Sequence, residues 1–427
     1  MNKIFDVIVI GAGYSGLCTS YHLKKYGLAH IVFERHSIGD SWRTQRWDNF
    51  RFNSTNKLNV LPGENIAGDP DKFGTAPDFV KQLEEYVMKH QLPVHEHSKV
   101  ISVEKQEDVF VVTVSSKGSI QHYSGKQIVI ASGTSNESRI PAFAKDVSKD
   151  ILQLHTCTYK NEHQLPAGHV LVVGGAQSGI QIAEDLVNAG RKVYFSTSMV
   201  GRIPRWYRGK DIFYWVKEAR FYEVKAEDIE DPKLLNQRPP HVAGTGNGKE
   251  SLSLQSLAKK GVAITGKLDR IAGNDVFFND NAAEHIKFAD EFSEKIKRSV
   301  DEYIAQHNLT APAPHYDEAD LPDTNADCDS KITSLSLKEN NITSIIWATG
   351  FDHDHSYIQL PVFDEYGKLK HRDGIAVFPG LYFIGYPWLR SRQSPILFGI
   401  IEDAAFIVDK IYQYAKTNTG SSQPVSS

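Results

Sequence analysis

A strand followed by a glycine-rich turn begins the chain and constrains its fold more than any other feature. The apolar, β-branched run Asp6–Ile10 is typical of a strand that is buried on both faces of a parallel sheet. Gly11, Gly13 and Gly16 then follow at the G-x-G-x-x-G spacing, which allows a tight turn, the close approach of a pyrophosphate and close packing of the next helix. That helix, predicted over residues 17–26, would direct its N-terminal N–H groups at phosphates.

A second strand, His30–Phe33, is followed by Glu34, about 20 residues after the glycines. A carboxylate at this position binds the hydroxyl groups of a ribose. A glycine pattern alone is weak evidence, but strand, glycines, helix, strand and terminal acid in this order are strong evidence. The unit therefore predicts a binding site for an adenine dinucleotide.

The same unit recurs in the middle of the chain. The apolar run His169–Val173 precedes a second glycine-rich turn from Gly174 to Gly179, and the pattern of a helix and a strand follows. Two such units predict an α/β fold with two Rossmann-like dinucleotide-binding domains. Ala176 replaces the central glycine, and its methyl group would hold a pyrophosphate slightly further away. The second site is therefore expected to bind less tightly, as suits a cosubstrate that leaves.

No acidic residue ends the second strand of this second unit. Ser196, Thr197 and Ser198 stand there instead, and Arg202 and Arg205 follow shortly after. The lack of an acid and the nearby arginines favour a 2′-phosphate, which predicts a preference for NADPH over NADH. The alternative is that these arginines are solvated charges on the surface.

The bulk composition narrows the range of partners and locations. The 427 residues suggest two or three domains, and the formal net charge of −4 gives no electrostatic case for nucleic acid or an anionic membrane as a partner. No apolar run is long enough for a spanning helix and no secretory signal precedes the first strand, so a cytoplasmic location is expected. The three cysteines are far apart, which predicts neither a disulfide framework nor a metal site.

Two dinucleotide sites in one chain imply a redox reaction. A permanent site with an acid at the ribose suits FAD and a looser site suits a nicotinamide donor, so together they predict hydride transfer to a flavin. Dithiol reductases pass the electrons on through two cysteines that are close in sequence, a pair that this chain lacks. Oxygen, a quinone or another protein remain as electron acceptors.

Two aromatic clusters lie outside the predicted strands. We expect the segment from Trp42 to Phe52 to form a wall around a planar ring system; the alternative is that Trp42 and Trp47 cap the hydrophobic core. The cluster within residues 205–222 is most simply core or interdomain packing, with the wall of a substrate tunnel as the alternative and a membrane-surface helix as a more distant one. The last predicted helix, residues 396–414, could face the polar edge of a flavin with its N-terminus.

Taken with these motifs, the chain resembles the flavin-containing monooxygenase superfamily. The matching segments are Gly11–Gly16, Glu34–Trp42, Phe52–Lys57, Gly174–Gly179, Ala348–Phe351 and Gly380–Gln393. The resemblance spans nearly the whole chain except about residues 218–335. It implies that NADPH reduces FAD, that NADP stays bound, and that oxygen forms a C4a-hydroperoxide on the flavin. That species would oxygenate a soft nitrogen or sulfur nucleophile, or insert oxygen beside a ketone.

The resemblance also implies which residues bind the cofactors. The expected FAD contacts are Gly11, Gly13, Tyr14, Ser15, Gly16, Glu34, Arg35, Ser41, Trp42, Val100, Ala131, Gly133, Gly350, Gly385 and Gln393. The expected contacts of the nicotinamide nucleotide are Gly174, Gly175, Gln177, Ser178, Gly179, Thr197 and Arg202. Asn53 is expected to be the catalytic residue, since its amide can hydrogen-bond to peroxide oxygens without titrating. The alternative for Asn53 is a turn residue that satisfies nearby backbone groups.

The corresponding domain prediction is a discontinuous FAD-binding domain, residues 1–165 and 336–427, around an NAD(P)H-binding domain, residues 166–335, with an α-helical insertion. Residues 417–427 are expected to be a flexible tail. The expected partners are molecular oxygen and a small organic substrate, and a homodimer is left open. Two alternatives to a monooxygenase are an NAD(P)H oxidase that releases hydrogen peroxide and a non-enzymatic flavoprotein that responds to nicotinamide.

Overall fold

The computed structural model describes residues 3–66, 68–134, 137–231, 235, 241–242, 250–322 and 331–419. The α-helices in these ranges are α1 Tyr14–Lys25, α2 Asp40–Thr44, α3 Ala76–His90, α4 Gln177–Asn188, α5 Ile212–Glu218, α6 Leu254–Lys259, α7 Ala282–Gln306 and α8 Leu397–Thr419.

The strands are numbered in chain order. The first are β1 Ile4–Ile10, β2 His30–Phe33, β3 Val94–His95, β4 Ser98–Gln106, β5 Val109–Ser116, β6 Ser119–Ile130, β7 Glu137–Ser138, β8 Leu152–His155, β9 His169–Val173, β10 Val193–Ser196 and β11 Arg202–Ile203. The others are β12 Trp206–Tyr207, β13 Lys210–Asp211, β14 His241–Val242, β15 Ala263–Thr265, β16 Leu268–Ala272, β17 Asp275–Phe278, β18 Ser334–Ser336, β19 Ile342–Trp347, β20 Phe351–Asp352, β21 His371–Arg372, β22 Ile375–Ala376 and β23 Leu381–Phe383.

The first sheet contains the first predicted dinucleotide unit. Its order is β21-β22-β23-β6-β1-β2-β3, and the hairpin of β4 and β5 pairs with β6. Strand β1 runs parallel to both β2 and β6. Val7 and Val9 pack in the same core as Leu17 of α1, whereas Ile8 packs with Phe110 of β5. The prediction that this strand is buried on both faces is confirmed.

The second sheet has five parallel strands in the order β15-β10-β9-β19-β8. Strand β8 precedes the second glycine turn in the chain, and β19 joins the sheet far downstream. This pairing corrects the predicted boundaries of residues 166–335, because residues 152–155 and 342–347 also belong to the second sheet. The segment Ile345–Trp347 was expected in the first domain, and its apolar β-branched pattern suits a buried strand of either sheet.

The predicted interpretation of the second aromatic cluster as core packing is confirmed. Phe213 and Trp215 of α5 are buried together with Leu58 and with Phe398 of α8. Helix α7 carries the helical stripe expected in the insertion and adds Val300 to the same core. This core joins the insertion to the segments that border the first sheet.

Several remaining predictions concern cysteines, metals and termini. Cys18 and Cys157 are free thiols, and Cys328 lies outside the described residues. Within the described ranges, no helix is both long enough and apolar enough to span a membrane, and no group of potential metal ligands is found. Helix α8 extends to Thr419, so the start of the predicted tail is helical, and residues 420–427 lie outside the described part of the chain.

Candidate dinucleotide-binding sites

The three glycines between β1 and α1 have different surroundings. Gly11 has a φ of +105°, and a Cβ there would lie 2.5 Å from the carbonyl oxygen of Ala131. A Cβ on Gly16 would overlap the carbonyl oxygen of Gly11. No atom lies within 4 Å of a Cβ built on Gly13. Gly11 and Gly16 are therefore required by the packing of the turn, whereas Gly13 borders open space in which a phosphate group would fit.

Glu34 follows β2 and connects the glycine turn to the next loop. Its Oε2 accepts a hydrogen bond of 2.8 Å from the backbone N–H of Ala12, and its Oε1 accepts one of 3.0 Å from His36. A carboxylate can accept further hydrogen bonds on its remaining lone pairs. The side chain is thus held beside the glycine turn, where the hydroxyl groups of a ribose could reach it.

The turn and Glu34 line a cavity of about 290 Å³ at the carboxyl ends of the first sheet's parallel strands. Ligands bind at this edge of open parallel sheets. Twelve of the predicted FAD contacts line the cavity: Gly11, Gly13, Tyr14, Ser15, Glu34, Arg35, Ser41, Trp42, Val100, Ala131, Gly133 and Gly385. Pro395 and Leu397 line it as well, so the N-terminus of α8 borders the cavity as expected.

The two tryptophans of the aromatic segment have different roles. Trp42 lines the cavity and packs on Phe52 with ring centroids 4.8 Å apart. Trp47 is 4% exposed and packs edge-on against Phe50 at 5.2 Å. The expected wall is therefore formed by Trp42, whereas Trp47 caps the core.

Some polar residues of the cavity were missed by the sequence analysis. The Tyr357 hydroxyl donates a hydrogen bond of 3.0 Å to Ser132 Oγ, and burial raises the pKa of Tyr357 to about 12. Ser132 lies in the turn after β6, between the expected FAD contacts Ala131 and Gly133. No local pattern marks Tyr357 or Lys99, because the chain folds them into the cavity from outside the glycine units, and Arg46 lies in the predicted aromatic wall but was not singled out.

The second glycine turn, between β9 and α4, repeats the packing of the first. A Cβ on Gly174 would overlap the carbonyl oxygen of Ala348, and one on Gly179 would overlap that of Gly174. Ala176 is the N-cap of α4, as Gly13 is of α1. The methyl group of Ala176 therefore occupies the position that is open at Gly13, and Gln177 and Ser178 begin the helix.

Ser198 takes the place in the second unit that Glu34 has in the first. The backbone N–H of Gly175 donates a hydrogen bond of 3.0 Å to Ser198 Oγ, just as the N–H of Ala12 donates to Glu34. A neutral hydroxyl thus replaces the carboxylate beside the second turn. The sequence analysis identified the missing acid but not the role of Ser198.

The predicted 2′-phosphate contacts of Arg202 and Arg205 need correction. Arg202 is 1% exposed and pairs with Asp290 at 2.8 Å and with Asp320. Arg205 is also buried and pairs with Asp211. Both guanidinium groups are committed to carboxylates in the interior, so neither is placed to bind a nucleotide.

Thr197 also faces inward rather than towards a nucleotide. Its Oγ1 donates to the carbonyl oxygen of Thr265 at 2.8 Å and lies 2.8 Å from Nδ1 of His285. The side chain is 2% exposed, so the hydroxyl of Thr197 cannot make the predicted contact with a nucleotide.

Three predicted FAD contacts lie outside the cavity wall: Gly16, which is packed against the carbonyl oxygen of Gly11, and Gly350 and Gln393. The backbone oxygen of Gly350 accepts a hydrogen bond of 2.9 Å from His155 Nε2 at the edge of the second sheet. Gln393 donates from Nε2 to Glu402 of α8 at 3.0 Å. Residues that follow them in the chain line the cavity instead: Asp354 and Tyr357 after Gly350, and Pro395 and Leu397 after Gln393.

Asn53 also lies outside the cavity wall, at the boundary between the two sheets. Its Oδ1 accepts a hydrogen bond of 3.3 Å from Nε2 of Gln181, which is on α4. The structure therefore brings Asn53 to the helix that begins at the second glycine turn.

The model of the pyridine nucleotide-disulphide oxidoreductase family matches residues 8–230, which include both glycine turns. This chain belongs to that family. A CzcO-like oxidoreductase of Geobacillus kaustophilus is 30% identical over 97% of this chain and 100% of its own length. The chain is thus an oxidoreductase, and family membership supports a flavin and a nicotinamide nucleotide as its cofactors.

The chain is also similar to flavin monooxygenases, the superfamily that its sequence motifs resemble. An indole-3-pyruvate monooxygenase of Arabidopsis thaliana, YUCCA6, is 29% identical over 43% of this chain and 45% of its own. A flavin-containing monooxygenase from Stenotrophomonas maltophilia has a similar fold, with a TM-score of 0.64 and 18% identity over 97% of this chain and 100% of its own. This likeness confirms the predicted fold class.

Proposed function

We propose that the protein is an NADPH-driven, FAD-dependent monooxygenase that oxygenates a small nitrogen or sulfur nucleophile or a carbonyl compound. The observation that supports this proposal most is the difference between the two turns, which are open at Gly13 and occupied by a methyl group at Ala176. Such a pair suits one resident and one exchangeable dinucleotide. Bound FAD would supply the redox chemistry, by accepting hydride and activating oxygen.

The first unit fits FAD. The N–H groups at the start of α1 and the space beside Gly13 would hold the pyrophosphate, and Glu34 would accept hydrogen bonds from a ribose. Trp42 and the N-terminus of α8 border the part of the cavity that suits a planar ring. These residues position the cofactor and exclude water from it.

The second unit would hold the nicotinamide nucleotide, with NADPH preferred over NADH. Ser198 presents a hydroxyl where Glu34 presents a carboxylate, so a 2′-phosphate would meet no negative charge from that side chain. The preference rests on this replacement and no longer on Arg202 or Arg205. Because this replacement removes a repulsion of the 2′-phosphate but adds no attraction to it, the preference for NADPH over NADH should be modest.

The chemistry of the cysteines argues against a disulphide reductase. Cys18, Cys157 and Cys328 are too far apart in sequence for a redox pair of the C-x-x-C type. Burial raises the pKa of both Cys18 and Cys157, which keeps these thiols protonated and unreactive. Of the electron acceptors that remain, oxygen is favoured by the similarity to monooxygenases.

Stopped-flow spectroscopy of the FAD-loaded protein tests the proposal. We expect rapid reduction by NADPH, followed by slow reoxidation in which oxygen is transferred to an added amine, thioether or ketone. Counting product and hydrogen peroxide per NADPH consumed separates the alternatives. Prompt reoxidation with one peroxide per NADPH and no product for any substrate would indicate an oxidase instead, and reduction too slow for turnover would indicate a nicotinamide-responsive flavoprotein.

A further inference from the structure

Arg46 lines the cavity and has no carboxylate partner within ion-pair distance among the described residues. Its Nη1 donates to the backbone oxygen of Gln45 at 3.0 Å. Its guanidinium carbon lies 4.5 Å from the ring centroid of Trp42 and 5.5 Å from that of Phe50. The planar group is therefore stacked on the aromatic wall with donors left for a ligand.

The two fully buried arginines, Arg202 and Arg205, each pair with at least one aspartate. Arg46 instead has another cation nearby. The Nζ of Lys160 donates a hydrogen bond to the backbone oxygen of Arg46 at 2.9 Å. Burial lowers the pKa of Arg46 to about 10, which shows that its surroundings disfavour the charge. An anion from outside the chain would compensate this charge.

Arg46 lies away from the glycine turn that would hold the pyrophosphate. Helix α2 begins beside that turn, where the N–H of Gly39 donates to the carbonyl oxygen of Ala12 at 3.2 Å. The five residues of α2 then span about 7.5 Å, and Arg46 follows the end of the helix. Lys160, which contacts the backbone of Arg46, lies in the segment that leads from β8 to β9 of the second sheet. Arg46 is therefore at the end of the cavity that faces the nicotinamide domain.

We propose that Arg46 binds the negative charge that the flavin ring of FAD acquires on reduction. Transfer of a hydride carries two electrons and one proton from the nicotinamide to the flavin ring, which leaves the flavin ring with one negative charge and the nicotinamide ring with one positive charge. A guanidinium group beside the ring stabilises this reduced form over the neutral oxidised one and so tunes the cofactor. The inference rests on the proposed FAD site.

The test is the midpoint potential of the bound flavin, measured by equilibration with a reference dye during slow reduction. Arg46→Gln should weaken the binding of reduced FAD about tenfold relative to oxidised FAD, which lowers the potential by about 30 mV for a two-electron couple. Arg46→Lys keeps the charge and should change the potential by much less. Arg43→Gln is the matched control, because Arg43 lies on α2 just before Arg46, is exposed and pairs with Glu84.

The outcomes distinguish this inference from the proposed function. If the unaltered protein binds no FAD, the proposed function is wrong and this inference falls with it. If FAD-loaded Arg46→Gln has an unchanged midpoint potential, this inference alone is wrong. If the variant binds oxidised and reduced FAD more weakly to the same degree, the inference is also wrong, and Arg46 is assigned to the pyrophosphate instead. If the variant does not fold, the midpoint potential of FAD bound to the unaltered protein is compared with that of free FAD. A lower potential for the bound flavin would contradict a net stabilisation of the reduced ring.

Discussion

Gln181 and Asn53 are joined by a hydrogen bond across the boundary between the two dinucleotide units, with 3.3 Å from Nε2 to Oδ1. Gln181 is 1% exposed and lies on α4, the helix that begins at the second glycine turn. Because Asn53 accepts this bond with its oxygen, its Nδ2 remains available to donate elsewhere. The bond links the orientation of the Asn53 amide to the helix that begins at the second glycine turn.

We predict that Asn53→Ala uncouples NADPH oxidation from oxygenation. Removing a hydrogen-bond donor to a flavin-bound oxygen costs about 1–3 kcal/mol, or about tenfold to a hundredfold faster release of peroxide. FAD content, flavin reduction and the melting temperature should remain nearly normal. A lower melting temperature with unchanged product per NADPH would instead identify Asn53 as a turn residue.

Gln181→Met should uncouple the reaction in the same direction but less, because Asn53 keeps its amide and loses only the bond that orients it. The informative measurement is a double-mutant cycle with Asn53→Ala on the ratio of peroxide to product. If Gln181 acts through Asn53, the double variant should match Asn53→Ala alone. Additive losses would show that the two side chains act independently.

The glycines of the first turn give a prediction about folding and binding. Gly13→Val should leave the apoprotein folded but free of FAD, because the space beside Gly13 is open and the branched side chain would occupy it. Gly16→Ala should instead destabilise the fold, since a Cβ there overlaps the carbonyl oxygen of Gly11. Thermal unfolding and flavin absorbance distinguish the two effects. A yellow Gly13→Val protein would contradict the assignment of this turn.

Much of the first site could be predicted because its residues follow short-range rules. The glycine turn, Glu34 and the small residues after β6 are each specified by a few neighbouring residues, and the structure brings them to one cavity. The domain boundary could not be predicted in this way. Strand β19 pairs with β9 only after the whole insertion, and nothing local distinguishes it from a strand of the first sheet.

Arginine roles were the least predictable part, because a guanidinium group is satisfied by whichever carboxylate the fold brings to it. Arg202 meets Asp290 and Asp320, which lie 88 and 118 residues away in sequence. Arg46 meets aromatic rings and a lysine instead, and therefore keeps its donors for a ligand. The same residue type is thus paired with carboxylates at one position and stacked on aromatic rings at the other.

Arg202→Met should therefore reduce stability and leave nucleotide selectivity unchanged. Removing one partner of a buried ion pair costs on the order of 3–5 kcal/mol, and Arg202 pairs with both Asp290 and Asp320, although Asp320 keeps its second pair with Lys297. Chemical denaturation measures this loss, and Arg270→Met is the control because Arg270 is exposed. A selective rise of the KM for NADPH, with the KM for NADH unaltered, would restore the 2′-phosphate role.

The last prediction concerns pH and rests on Asp185, which lies four positions after Gln181 on α4. Burial, and then the neighbouring Glu184, raise the pKa of Asp185 to about 7, from about 3.8 in the unfolded chain. The folded protein therefore binds the proton more tightly than the unfolded chain does. The tighter binding of this proton stabilises the folded protein fully below about pH 4, and the stabilisation is lost as the pH rises through about 7.

Asp185→Asn imitates the protonated carboxyl and should remove this pH dependence. Since one pKa unit corresponds to about 1.4 kcal/mol, the variant should be stabilised by up to about 4 kcal/mol at pH 8 and by almost nothing at pH 4. Urea unfolding at both pH values measures the difference, and Glu85→Gln, on an exposed carboxylate of α3, is the control. Equal stability of Asp185→Asn and the unaltered protein at pH 8 would show that the carboxylate of Asp185 is well solvated or paired with Arg51 in the folded state.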